Sequence, residues 1–278
     1  MSVAARRLGI ALAAAGLVLV GLLAGSLLAA GGGGTGAAGA PGGHRDGPRA
    51  ARAGAAPSAR AAAVAGGADG SGRDAAASGS LPPHTSLVAN VRGPGPLAVY
   101  RRPGAARPVR RLEAARARVL LVRERRGAWL RVLLPVRPDG TSGWIRAHRA
   151  TLRANPYRID VRLRAHRLVL HRGDAVVLRT PIGVGRAVTP TPRGLAYVTS
   201  LLRQPDPHGA YGPWAFGLSI YSPVLTHFGG GPGQVGIHGT NAPAGIGHDV
   251  SHGCIRLPNA AIARLARLLP LGTPVRIA

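Results

Sequence analysis

Lysine is absent from this 278-residue chain: all thirty-six basic residues are arginine, set against ten acidic ones, for a formal net charge of +26. Aromatic side chains make up only 4% of the sequence, and there is one cysteine, which excludes an internal disulfide framework. The arginine excess sits beside abundant alanine, glycine and proline, the texture of GC-rich coding bias. No nucleic-acid-binding motif accompanies the charge, so no nucleic-acid partner is expected. In an exported protein the same charge favours residence beside anionic wall polymers or lipid headgroups.

Export is what the N-terminus predicts. Arg6 and Arg7 precede an apolar, uncharged run over residues 8–30 that ends in small residues. The run is long enough to cross a bilayer, and its end suits a signal peptidase, so residues 1–30 read either as a cleaved signal peptide or as a retained anchor touching the membrane. With the arginines on the inner side, the rest of the chain lies in the extracytoplasmic envelope. Residues 31–83 are Gly, Ala, Ser, Pro and Arg with almost no large apolar side chain, and are expected to be a disordered tether.

Two β-rich parts follow. In residues 84–154 the runs LAVYRRP, RVLLVRER, AWLRVLLP and SGWIRAHRATL are separated by Gly- and Pro-containing turn signals, which predicts five short strands closing into a small barrel. Trp129 and the Gly143-Trp144-Ile145 triplet resemble the bacterial SH3-like module, with both tryptophans expected in the core. Residues 155–278 open with alternating strands at 157–163, RLVLH and AVVLRT, and close on GTPVRIA. Between them one helix is expected after Asn259 as N-cap, with Ile262, Leu265, Leu268 and Leu269 on its buried side. The aromatic segment 209–222 reads as a loop. With the glycine-rich stretch 228–236 it reads either as a mobile rim over a cleft, carrying Trp214 and Phe216, or as plain surface connection plus a core aromatic.

The lone thiol, Cys254, lies in IHGTNAPAGIGHDVSHGCIRLPN with His238, His248 and His252. A thiol becomes a strong nucleophile when an imidazole accepts its proton or a cationic neighbour holds the thiolate. His238 arrives on the strand-like QVGIHG. His252, two residues from the cysteine, would point the same way if the segment were extended. Gly253 permits close backbone approach, and the N–H groups of Gly253 and Cys254 are candidates for an oxyanion hole. The same four side chains are also potential zinc ligands, but their spacing fits no standard zinc site, and neither metal nor cofactor is expected. His248-Asp249 is read as a turn.

IHGT followed by SHGCIRLPN resembles the signature of the YkuD-type L,D-transpeptidases, supported by TPTPRG and the closing GTPVRI. The resemblance implies a mainly β fold: a β-sandwich catalytic domain with one or two short helices over residues 155–278. It implies that Cys254 is the nucleophile, that His238 is its base held by the Gly239 carbonyl, and that His252 lines the site. Ser251, Gly253 and Arg256 would belong to the oxyanion and substrate-binding side. Arg256 stands where many members have asparagine, and its fork suits either a stem carboxylate or a structural ion pair. The implied reaction joins donor and acceptor stem peptides of peptidoglycan in 3→3 crosslinks, with loss of D-alanine, and carbapenems would acylate the thiol. Hydrolysis by water, transfer to a protein amine, and a non-catalytic wall-binding role are the alternatives.

Overall fold

Short β-branched and leucine-rich runs separated by glycine turns give strands throughout the part of the chain that the computed structural model describes, residues 83–116 and 118–278. The expected export segment and, apart from Pro83, the expected tether lie outside these residues.

The first part has seven strands, two more than the turn signals predict: β1 (Ser86–Val91), β2 (Leu97–Val99), β3 (Arg110–Leu112), β4 (Val119–Arg126), β5 (Trp129–Leu133), β6 (Ser142–Arg146) and β7 (Ala150–Asn155). Five form an antiparallel sheet in the order β6-β5-β4-β1-β7, and β2 and β3 make a separate hairpin. Alternation sends Leu130, Val132 and Ile145 inward, each fully buried. The tryptophans are buried too, on the opposite face of the sheet. Trp129 lies opposite Arg146 and Trp144 opposite Arg131, and the guanidinium carbons of Arg146 and Arg126 sit 4.5 and 5.3 Å from the Trp129 and Trp144 ring centroids. Both rings are buried core hydrophobics, as expected; these guanidinium groups pack against them, and the Tyr100 ring packs against Trp129.

The second part comprises β8 (Tyr157–Arg162), β9 (Arg167–Arg172), β10 (Ala175–Pro181), β11 (Val184–Gly185), β12 (Gly194–Arg203), β13 (Trp214–Tyr221), β14 (Gln234–His238), β15 (Asp249–Ser251), β16 (Ile255–Arg256), helix α1 (Asn259–Leu268) and β17 (Pro274–Ile277). Eight strands form one mixed sheet in the order β10-β9-β8-β17-β12-β13-β14-β16. One apolar cluster joins residues from both ends of that order, Leu168 and Leu170 of β9 with Ile255 of β16, so the sheet is curled around a single core. The curl closes at Gly183, just beyond β10, whose backbone exchanges two hydrogen bonds with Arg256 on the far edge strand, at 2.9 and 2.8 Å. The mainly β expectation holds.

Two local expectations do not. The aromatic segment is not a loop: Trp214–Tyr221 is the strand β13, between β12 and β14, and Phe216 is core at 1% exposure. Its glycines and proline obscured an alternating strand. In α1 the cap residue is Pro258, Asn259 is the first helical residue, and no side chain caps the helix. Ile262 and Leu265 are fully buried, each contributing about 1.5–3 kcal/mol from area removed from water.

The two parts share an interior. Tyr197 of β12, fully buried, belongs to the apolar cluster of the first sheet. Asn155 Nδ2 donates to Thr273 Oγ1 at 3.1 Å beneath it.

Candidate active site

Strands β14 and β16 run parallel with Ile237 opposite Ile255 and His238 opposite Arg256. Both isoleucines are fully buried in the core. Their neighbours therefore face the other way, and His238, Arg256 and Cys254, one residue before β16, share that face. Continuing the register back sets Cys254 against Gly236, whose backbone amide pulls the thiol pKa down. A Cβ at position 236 would come within 2.9 Å of the Phe216 carbonyl oxygen, so only glycine fits beside the thiol.

His238 is 4% exposed. Its Nδ1–H donates to the Gly239 carbonyl at 2.6 Å, which leaves Nε2 as the acceptor. Desolvation pushes its pKa down to about 4. The Gly239 bond opposes that shift and the Arg256 charge adds to it. Burial pushes the Cys254 thiol up, against the Gly236 amide and Arg256, which both pull it down. The resting pair is thus a protonated thiol and a neutral imidazole. A preformed thiolate held by a cation, one of the two activation modes expected from sequence, is not the ground state.

The turn that delivers the thiol is fastened by Ser251, itself 1% exposed. Its hydroxyl donates to the Cys254 carbonyl at 2.6 Å and accepts the Gly253 N–H at 3.1 Å. This corrects two expected roles. The Ser251 hydroxyl is consumed within the turn instead of facing substrate, and the Gly253 N–H is taken by it. Gly253 has φ +114°, a conformation that L side chains rarely adopt. Thr189 and Thr191 of the TPTP segment support the turn from behind: Thr189 Oγ1 donates to the Ser251 carbonyl at 3.2 Å, and Thr191 Oγ1 accepts the Gly185 N–H at 2.9 Å.

His252 is exposed, because the chain bends at Gly253 instead of continuing extended. Its Nε2 accepts from an Arg186 guanidinium N–H at 2.7 Å, and its ring lies 5.2 Å from that of Phe228. It still lines the small cavity that Cys254 opens into. Burial, Arg186 and Arg256 hold its pKa below the usual histidine value. His248 lies apart from the thiol, its carbonyl accepting the Val184 N–H at 3.0 Å. Among the described residues no three metal-ligating side chains converge.

Arg256 is the central cation. Its charge acts on His238, Cys254, His252 and Tyr211. Among the described residues it has no carboxylate partner, and its buried Nε has no hydrogen-bond acceptor. That removes the ion-pair reading. Three contributors escaped sequence reasoning. Tyr211 packs its ring 4.6 Å from the His238 imidazole, and nothing in its surroundings signals this. Arg186 holds His252. Asn259, read as a helix cap, instead accepts the Thr240 N–H at 2.8 Å, bracing the segment that carries the Gly239 carbonyl.

Part of the chain is similar to known proteins. A model of the YkuD family, described as the L,D-transpeptidase catalytic domain, matches residues 156–277. The YkuD proteins of Bacillus licheniformis and Bacillus subtilis are 42% and 40% identical over 122 residues, which is 44% of this chain and 66% of each relative's length. A solved L,D-transpeptidase from Enterococcus faecium superposes with a TM-score of 0.36 and 24% identity, covering 45% of this chain and 50% of that one. Residues 156–277 thus belong to the YkuD family of L,D-transpeptidase catalytic domains.

Proposed function

We propose that the chain is an exported peptidoglycan L,D-transpeptidase that forms 3→3 crosslinks through a Cys254 thioester. The observation that carries this reading is the shared face of His238, Cys254 and Arg256, with His238 Nε2 left free by the Nδ1 bond to Gly239. Extracytoplasmic placement follows from the substrate, and the basic charge suits anionic wall polymers nearby.

In the proposed reaction His238 Nε2 takes the thiol proton as the sulfur attacks the carbonyl of the third residue of a tetrapeptide stem. The Cys254 N–H steadies the developing oxyanion. Collapse breaks the bond to the terminal D-alanine, whose nitrogen receives the proton from His238. A side-chain amine of a second stem then attacks the thioester, passes a proton to His238 and displaces the sulfur, which recovers its proton. Arg256, an unpaired cation at the same face, is assigned to a stem carboxylate; its fork suits that anion. His252 lines the entrance. No cofactor enters the scheme.

Incubating the full-length chain with tetrapeptide muropeptides and analysing the products by mass spectrometry tests this. Dimers with 3→3 links and free D-alanine are expected, and neither with Cys254→Ala. Tripeptide with D-alanine but no dimer means a carboxypeptidase. Equal release by both proteins removes Cys254 as the nucleophile, and no release by either leaves a wall-binding protein.

A further inference from the structure

The cavity over Cys254 is small. Ser222, Leu225, Phe228, Gly233 and His252 line it with the cysteine, and its volume is about 10 Å³. That is about the minimum for a single water, far short of a peptide. The cover is the segment 222–233. Its feet are joined by the Ser222 N–H to the Gly233 carbonyl at 2.8 Å. Ser222 Oγ accepts the Val224 and Leu225 N–H groups at 3.3 and 3.0 Å. At the tip Phe228 and Gly231 exchange backbone bonds at 2.9 and 3.0 Å around Gly229 and Gly230, both at positive φ. Two consecutive glycines at positive φ suit such a tight two-residue turn. The tip touches the rest of the site through Phe228 against His252.

The feet are held from the first β part. Arg137, in the loop between β5 and β6, donates from Nη1 to the Ser222 carbonyl at 2.7 Å. Its Nη2 reaches the Leu225 and Pro232 carbonyls at 3.1 and 3.0 Å. One guanidinium thus ties both ends of the cover. The same loop grips β13: the Asp139 carboxylate accepts the Tyr221 N–H at 3.0 Å, and the Tyr221 hydroxyl donates to the Pro135 carbonyl at 2.9 Å. Charge-assisted bonds to three carbonyls hold the feet more firmly than the ring contact of Phe228 with His252 and the nearby Tyr211 hydroxyl hold the tip.

We propose that Arg137 is a positioning residue that pins the feet of the 222–233 cover, so that the cover opens at its Phe228–Gly231 tip and the first β part sets peptide access to the thiol. The proposal rests on Cys254 being the residue that is acylated.

The test compares the full-length wild type with Arg137→Gln and Arg137→Lys. Kinetics on muropeptide are read beside Cys254 alkylation by iodoacetamide and by a bulky maleimide, and beside hydrogen exchange. Loss of the clamp is expected to raise KM about tenfold with kcat within about twofold, the scale of one charge-assisted bond. Exchange should quicken in 222–233 but not in β12 or β17, and the maleimide rate should rise more than the iodoacetamide rate. Arg137→Lys, which keeps the charge without the fork, should recover part of each effect. Wild-type KM and wild-type exchange at 222–233 in Arg137→Gln would overturn the proposal, as would exchange quickening equally across the whole sheet. Should Arg137→Gln not fold, Arg137→Lys carries the same readouts. Failure of the acylation reading shows separately, as a wild type that makes no acyl-enzyme.

Discussion

The Nδ1–H of His238 points at the carbonyl of Gly239, the very next residue, at 2.6 Å. A bond this local fixes the tautomer without help from a carboxylate, and burial keeps the ring neutral. The base is therefore available far into the acid range. The acid limb of kcat/KM is expected near pH 4, well below the ordinary histidine value, and a pH–rate profile on muropeptide checks it.

The same depressed pKa links stability to pH. Unfolding releases His238 to a value near 6.5, so the unfolded chain binds the proton more tightly. The stability contributed by burying the neutral ring is full above pH 6.5 and is lost as pH falls towards about 4, for about 3 kcal/mol in all. His171 and His252, also shifted down, act with the same sign. Urea midpoints between pH 4 and 7 should show this slope, reduced in His238→Gln.

Ser251→Ala is expected to cost about 2 kcal/mol, because it orphans the Gly253 N–H and the Cys254 carbonyl at a buried turn. Carbapenem acylation should slow with it, since the turn sets the sulfur. Thermal melts and intact-mass kinetics read the two effects.

Removing the Arg256 charge should raise both the thiol and the His238 pKa, since the guanidinium lowers each. Arg256→Met is expected to move the pH dependence of Cys254 alkylation upward. Thiol titration by a small alkylating reagent measures it.

Asn259→Ala separates a helix cap from a strand brace. The Asn259 side chain bonds the Thr240 N–H, not the helix, so far-ultraviolet circular dichroism should be unchanged. Stability should drop by about 1–2 kcal/mol, and acylation should slow as the Gly239 segment loosens.

The sequence was legible where chemistry is local. The SHGC turn, the strand ending in His238 and the alternating strands at 157–181 could be placed because hydrophobic period and residue type determine them directly. Asn259 was misread because a helix-start signature does not reveal a competing acceptor site on a distant segment. The strand β13 was hidden by Gly212, Pro213 and Gly217, which read as turns, whereas the two glycines stand where neighbouring atoms leave no room for a Cβ. A Cβ at Gly217 would meet Ser200 Oγ at 2.6 Å. Tyr211, Arg186 and Arg137 act over long sequence separations, and no spacing rule announces such contacts. Burial, which raises the thiol pKa, is a property of the folded environment and not of its neighbours in sequence.

Tyr197 has a larger consequence than its size suggests. It grows from the sheet that carries the cysteine, yet its ring completes the interior of the other sheet. The second sheet has an apolar cluster of its own, but that of the first is completed only by this ring. Severing the chain after Asn155 would strand a bulky phenol in solvent on one fragment and open a void in the other, so the halves should melt in a single transition, and catalytic fragments freed of their N-terminal companion should aggregate.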